Sequence, residues 1–444
     1  MLSVAENELI CRTGPGTPMG NLMREYWVPA MLSSEVPTPD SNPVRVLLLG
    51  EKLIGFRDTQ GQVGLIQNHC PHRGASLFFG RNEEAGLRCV YHGWKFAIDG
   101  TCVDMPNEPA ESDFKHKVKA VAYPCEERGG IVWTYMGPRS TPPPLPDIEG
   151  NMVEGATATA VQHECNWLQV GEGAIDTSHA GFLHFGSLKA EDYPDGTFSR
   201  YLLVNRSPKY AVVNTDIGVT YGAYRPVDER RNFWRIANFL LPFYTMNPQG
   251  LLGSGPQGWQ ARVPMDDTHM ISFGFAGPRR QRPASAASGG QRGQTRQLLD
   301  NTTDWYGRFR QISNLENDFF IDRDLQRSNS GPDGWTGVQG VGRQDQTMTT
   351  SMGPIYDRSK EHLGSSDAMV IQVRRRLLSV VKAHAESGVT PPGVDNPSLY
   401  RLRSGSVMLE QDVEDWFEAT RELRTAFVQH ADLDYSLLGG GLSG

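Results

Sequence analysis

Between Val44 and Trp133, apolar and polar positions alternate in short bursts cut by Gly and Asp: VRVLLLG, KLIGFRD, VGLIQ, KFAID and GIVWTYMG. Runs of this length and period read as strands, and the punctuation at 58–61 and 99–100 reads as hairpin turns. A small all-β unit is predicted here, preceded by a short helix over Pro18–Arg24. Residues 137–150 then hold five prolines, which disfavour both helix interior and central strand and predict a linker. After it come a helix near 166–185 and the strand-like runs YLLVN, YAVVNT, VTYGAY and WRIANFLLPFY. From Asp300 the helical period returns in DWYGRFRQISNLENDFFIDRDLQ, AMVIQVRRRLLSVVKAHAES and VEDWFEATRELRTAFVQHA. The stretch 278–296 is of low complexity and is expected to be a mobile loop. The expected order is an N-terminal helical segment (1–43) packed on the last domain, an all-β domain (44–138), a Pro-rich linker (139–150) and a larger last domain (151–444). The fold class is α+β.

With 38% hydrophobic and 21% charged residues over 444 positions, the chain reads as a globular protein of two or three domains. Its formal charge, 43 − 51 = −8, leaves no broad basic field for nucleic acid or an anionic membrane. No apolar run approaches the ~20 residues of a membrane span. The N-terminus carries acidic residues where a signal peptide would carry a basic flank, so a cytoplasmic location is expected. Six cysteines suit reduced thiols.

Two of those cysteines stand in mixed pairs with histidine. Cys70 and His72 lie two apart, Cys89 and His92 three apart, with sixteen residues between the pairs. Two thiolates and two imidazoles fit a tetrahedral zinc site or a [2Fe–2S] cluster in which two His replace two Cys on one iron. Common zinc fingers pair like with like, and Gly74 and Gly93 let the backbone pass close to a bulky centre, so the cluster is the favoured reading. His69, beside the first pair, is read as a non-ligand. A plainly structural origin for all four residues is the bland alternative. The wording CPHRG and YHGWKF resembles the Rieske motif in the large subunits of the ring-hydroxylating oxygenases, and that resemblance spans 44–138.

Asp176, His179 and His184 form a second constellation. On a regular helix Asp176 and His179 share a face, whereas His184 would point about 140° away from His179 at ~3.6 residues per turn. Both imidazoles reach one metal only if the helix breaks between them, and Gly181 is well placed for that. Alone, the pattern fits packed histidines about as well as it fits a metal. After a Rieske motif it resembles the catalytic segment of the same family, where a glutamate, here Glu172, precedes D-x-x-H-x-x-x-x-H. The resemblance implies that His179 and His184 bind a mononuclear Fe(2+) and that Asp176 is an electron bridge to the cluster of a neighbouring subunit rather than a ligand. Gly173 after Glu172, the GAIDTSH wording and the SMGPIYDRSKEHLG stretch near 351–364 resemble the phthalate-dioxygenase branch. That branch implies a homotrimer, or a dimer of trimers, built head-to-tail, and a catalytic domain whose antiparallel sheet is surrounded by helices in a helix-grip, START-like manner.

The third iron ligand must then come from farther along, where Asp318, Asp322, Asp324, Asp333 and Asp345 are available. Asp318, Asp322 and Asp324 lie on a charged stretch, and Asp333 sits in a turn. Asp345 follows a Gly-rich loop in a segment with few charges, and its place before SMGPI resembles that of the branch's third ligand. It is preferred, with Asp322 and Asp324 as rivals. The chain carries no nucleotide fingerprint and no four-cysteine ferredoxin set, so electrons from NAD(P)H would arrive through a separate FMN/ferredoxin-type reductase. The reading is the terminal oxygenase of an aromatic catabolic system. It would use O2 for di- or mono-oxygenation of an aromatic acid of phthalate or benzoate type, with O- or N-demethylation as the alternative within the family. A Rieske electron carrier would need only the first 140 residues, and a zinc-binding interaction protein would be colourless. A buried substrate carboxylate calls for Arg, and Arg206, Arg225 and Arg235 are the candidates, with none singled out.

Overall fold

The five runs read between Val44 and Trp133 are strands in the computed structural model, which describes residues 1–248, 250–256, 258–277, 297–430 and 433. The stretch 278–296, expected as a mobile loop, lies outside the described residues. One four-stranded antiparallel sheet is Val44–Leu48, Glu51–Arg57, Val63–Gln67 and Ala122–Tyr123. A second is Arg81–Glu83, Gly86–Arg88, Lys95–Phe96 and Cys102–Asp104. A third sheet lays Ile131–Tyr135 between Trp27–Leu32 and Cys125–Arg128. Phe56, Ile66, Leu77, Leu87, Trp94 and Phe96 close a small core with Cys70 and Cys89 at its rim.

Beyond the prolines an eight-stranded antiparallel sheet takes over. Edge to edge it runs Thr157–His163, Met270–Ala276, Trp259–Pro264, Tyr244–Met246, Arg231–Leu240, Gly218–Pro226 and Lys209–Asn214. The eighth strand, Gly405–Glu410, pairs along Arg231–Ile236. Register assigns the two faces different work. Tyr221, Ala223, Ala237 and Phe239 face the main core beneath the helices Trp167–Ile175 and Ala368–Ser387. Tyr224 and Trp234 face the other way and stack on each other at 4.4 Å, with Trp416 5.3 Å beyond. Glycine is required at 222 because a Cβ there would stand 2.6 Å from the Trp234 ring. The long helix buries Met369, Val370, Val373, Leu377, Leu378 and Val381 at three- and four-residue spacing. Gly388, at φ 64°, ends it by donating its N–H to His384 O (2.9 Å).

The small sheets and the large one are stitched together. Leu49 N–H donates to Pro264 O (3.0 Å) and Gly50 N–H to Met265 O (2.7 Å). Trp305 packs against both hydrophobic cores, under Arg45 and Lys52. The Pro-rich stretch lies against this body: Trp27 Nε1 donates to Pro143 O (2.6 Å), and Ile148 is fully buried.

Four elements differ from expectation. YLLVN belongs to the helix Phe198–Val204, not to a strand. Thr197 caps it, and Leu202 and Leu203 pack on Ala180 and Phe185; a short apolar run does not by itself distinguish the two. The run 304–326 is mostly irregular, with Phe309, Asp318, Phe319 and Phe320 at positive φ. Its periodicity is overridden by long-range bonds, such as the nearly buried Arg308–Glu35 ion pair at 2.6 Å. The stretch near 413–430 holds two single turns, Trp416–Ala419 and Arg421–Arg424, in place of one helix. An additional helix, Val4–Cys11, starts from a Ser3–Glu6 capping box.

Candidate metal centres and the arginine pair

The four mixed Cys/His residues sit on two loops built to one template. Cys70 N–H donates to Ala75 O (2.8 Å) and Gly74 N–H to Cys70 O (2.9 Å). Cys89 N–H donates to Trp94 O (2.8 Å) and Gly93 N–H to Cys89 O (2.9 Å). Closing each loop needs a left-handed residue, supplied by Gly74 (φ 78°) and Gly93 (φ 83°). His69 turns away from the loop mouth: its Nδ1 lies 2.9 Å from Gly74 O. The thiols of Cys70 and Cys89 are buried, while His72 and His92 are half-exposed, with ring centres 4.5 Å apart. Trp94 stacks on His72 at 4.3 Å. Burial, with the neighbouring Cys89 adding to it, pushes the Cys70 thiol up to about 11, so a thiolate here calls for a cation. Among the described residues, the only group of three or more His, Cys, Asp or Glu donors within 4.8 Å of one another is elsewhere. Donors this spread out fit a two-iron cluster better than one tetrahedral ion.

The group that does converge is His179, His184 and Asp345. The helix Trp167–Ile175, capped by Asn166, stops at Asp176, whose backbone is extended. A single π-helical turn, Ala180–His184, follows. An i→i+5 turn is what brings residues five apart together, so the break between the histidines takes this form. Gly181 is not its cause, since a Cβ there would make only ordinary 3.4 Å contacts. Arg206 holds the turn instead, donating to the carbonyls of Gly181, Phe185 and Leu188. His179 Nε2 stands 3.1 Å from His184 Nε2 and 3.5 Å from Asp345 Oδ1, and His184 Nε2 stands 3.2 Å from that oxygen.

Asp345 projects from the helix Val341–Ser351 and is 43% exposed, so the centre is open on that side. Burial opposes charge on these groups, but their mutual hydrogen bonds outweigh it. His179 is pushed up to about 9 by Asp176 and Asp345, and Asp345 falls well below the usual carboxylate range. Two imidazoles and one carboxylate at this spacing fit a mononuclear iron with coordination positions left free. The rival aspartates are engaged elsewhere. Asp322 caps the helix Arg323–Ser328, Asp324 pairs with Arg327, and Asp333 Oδ1 accepts from Gly340 N (3.0 Å) and Gln344 Nε2 (3.1 Å).

Asp176 is not among the converging donors. Its Oδ1 accepts from Ser178 N (2.7 Å) and Ser178 Oγ (2.8 Å), and its Oδ2 lies 3.3 Å from His179 Nδ1. One turn earlier, Glu172 is clasped by Arg358 (Nη2, 2.9 Å) and Arg374 (Nε, 2.6 Å), which ties the His-bearing segment to the long helix. Sequence reasoning missed both arginines, and also Gln344, whose signal was only its place beside Asp345.

Of the three candidate arginines, Arg206 is consumed by the π turn. Arg225 and Arg235 are diagonal neighbours on one face of the sheet, since Arg235 pairs with Ala223 and Arg225 with Phe233. Arg225 donates Nε to Asn205 O (2.6 Å), while its buried Nη1 and Nη2 have no hydrogen-bond partner among the described residues. Arg235 donates to the Thr177 hydroxyl, two residues before His179, and its Nε is likewise unpaired. Burial first, and the like charge of Arg235 next, lower Arg225 to about 10. Two cations without a carboxylate partner among the described residues, Arg225 buried and Arg235 half-buried, thus stand next to the segment bearing His179.

Two family models together span most of the chain. Residues 26–124 match the family described as Rieske [2Fe-2S] domain, and residues 134–434 match LigXa C-terminal domain like. The chain is 44% identical over 426 residues to the 3-chlorobenzoate-3,4-dioxygenase oxygenase subunit of Comamonas testosteroni, covering 94% of this chain and 97% of that one. It is 36% identical over 431 residues to the phthalate 4,5-dioxygenase oxygenase subunit of Pseudomonas putida, covering 94% of each. Among solved structures, dicamba monooxygenase bound to dicamba superposes with a TM-score of 0.55 at 17% identity, over 82% of this chain and 99% of that one, a likeness of fold.

Proposed function

The chain belongs to the Rieske oxygenase family and is the terminal oxygenase component of such a system; from that premise we propose that its substrate is an aromatic carboxylate of benzoate or phthalate type. The observation that carries the substrate class is the pair of carboxylate-free guanidiniums of buried Arg225 and half-buried Arg235, the latter bonded to Thr177. A planar carboxylate matches such forks, and its charge would relieve the repulsion between them.

On this reading residues 44–138 receive electrons and 151–444 oxygenate, with 139–150 joining them. Cys70, His72, Cys89 and His92 would hold the [2Fe–2S] cluster, and His179, His184 and Asp345 the mononuclear Fe(2+). When bound, these groups supply one-electron transfer and O2 activation. The protein's own part is placement. Arg225 and Arg235 fix the ring by its carboxylate at the sheet, and Asp176 keeps the His179 Nδ1 proton, so that Nε2 points at the centre. In the trimer implied by the branch, Asp176 would lead electrons from a neighbour's cluster, which draws on NAD(P)H through a reductase.

The test is turnover with a surrogate reductase on benzoate, 3-chlorobenzoate, phthalate and their methyl esters. Isotopically labelled O2 sorts diol, phenol and demethylated products. The acids are expected to exceed the neutral esters in kcat/KM by about 100-fold or more, the scale of an unpaired buried charge. Equal turnover of acids and esters, or none of the acids, would overturn the substrate class.

A further inference from the structure

We propose that Gln344 is a positioning residue that sets the tautomer of His184, and that Asp333 acts behind it by setting the orientation of Gln344. The inference rests on the reading of His179, His184 and Asp345 as a metal centre, and it concerns atoms outside that ligand set.

Gln344 is buried, and its amide can be oriented by bookkeeping alone. Nε2 lies 2.9 Å from Val338 O, 3.1 Å from Asp333 Oδ1 and 3.2 Å from Thr336 Oγ1. A carbonyl and a carboxylate can only accept, so the group facing them must be the NH2. The opposite end, Oε1, therefore faces His184 Nδ1 at 2.8 Å, and it can only accept. His184 must carry its proton on Nδ1, which leaves the lone pair on Nε2, the atom turned toward His179 and Asp345. Without this anchoring the amide could flip, offer its NH2 to Nδ1 and move the proton to Nε2, the form that cannot bind metal.

The two ligating imidazoles are thus supported unequally. His179 leans on the Asp176 carboxylate at 3.3 Å, and His184 on a neutral amide. Because Gln344 and Asp345 are adjacent on the helix Val341–Ser351, one turn both delivers a ligand and aims another. Asp333 Oδ1 also accepts from Gly340 N, at the N-cap of that helix, so helix start and amide orientation share one oxygen.

The probe is Co(II), titrated into holoenzyme stripped of its mononuclear metal by chelation, with visible absorption of the site as readout and the Rieske spectrum as the control for fold. Gln344→Leu and Asp333→Ala are each expected to weaken Co(II) binding by about 10- to 100-fold, the usual range for a partner of a ligating His. Asp333→Asn keeps an accepting Oδ1 and is expected to bind within about threefold of the parent. Adding Asp333→Ala to Gln344→Leu should cost less than Asp333→Ala costs alone, because only the bond to Gly340 N is left to lose. Parent-like affinity in Asp333→Ala, equal losses in Asp333→Ala and Asp333→Asn, or additive losses in the double variant would each overturn the proposal. The first two outcomes are readable even if Gln344→Leu fails to fold. A parent protein that takes up no Co(II) would instead sink the metal-centre reading, and this one with it.

Discussion

Replacing Arg225 with Met should stabilise the protein while disabling its substrate recognition. The diagonal register of Arg225 and Arg235 places their Cβ atoms roughly 7 Å apart, which sets the scale of the separation of the two like charges. At an effective dielectric constant of about 20 their repulsion is ~2 kcal/mol. The two unpaired terminal nitrogens of Arg225 add a desolvation penalty of ~1–3 kcal/mol. Against this stands the loss of one hydrogen bond to Asn205 O, ~1 kcal/mol. The net expectation is a gain of about 2–4 kcal/mol, read as a higher urea midpoint at unchanged slope. In the same variant kcat/KM for an aromatic acid should fall by about 30-fold or more, with little change for its neutral ester. A variant that is less stable than its parent and keeps its preference for acids would refute the reasoning on both counts.

Asp345→Ala should lose mononuclear iron and product while keeping the full Rieske absorption, as metal analysis and visible spectra would show; retained iron would return attention to Asp322 and Asp324. Asp176→Asn should leave both centres filled and cluster reduction fast, yet slow single-turnover transfer to the iron by orders of magnitude; loss of the iron itself would make Asp176 a ligand. Arg358→Met leaves Glu172 with Arg374 alone and should lower stability at pH 7 by ~2–3 kcal/mol. Because the native Glu172 carboxyl is held below its ordinary value by Arg358 and Arg374 against burial, that stabilisation exists above the unfolded pKa of ~4.3 and is lost as pH falls through the depressed native value. The parent–variant gap in urea midpoint should therefore be flat from about pH 5 to 8 and close in acid; a gap that widened in acid would contradict the assignment.

What was legible in the chain follows from locality. The Cys–His loops announce themselves because both candidate ligands and the closing glycine lie within five residues, and strands such as Val44–Leu48 carry their pattern within themselves. Asp345 was reachable only with the help of resemblance, since nothing local ties it to His184, 161 positions away. Gln344, Arg358 and Arg374 have no local signature at all, and their roles exist only once distant segments meet. The helix Phe198–Val204 was misread for a related reason: the choice between strand and helix was made by Thr197 and by packing on the π turn. Arg225 and Arg235 were visible as candidates, but what separates them from Arg206 is which carbonyls each has already claimed.

The seam through Trp305 bears on how far electrons travel. Opening a hinge at the Pro-rich stretch would strip Trp305 from two cores, pull Arg45 and Lys52 off its face and break the bonds from Leu49 and Gly50 to Pro264 and Met265. Trp305 is partly buried, so its packing is worth a share of the ~2–3 kcal/mol of a fully buried large side chain, before those bonds are counted. Such a molecule works as a single casting, not as a swinging arm. The separation between the two candidate centres of one chain would then be fixed at folding, and any change in the path from a neighbour's cluster to the iron would have to come from movement between subunits.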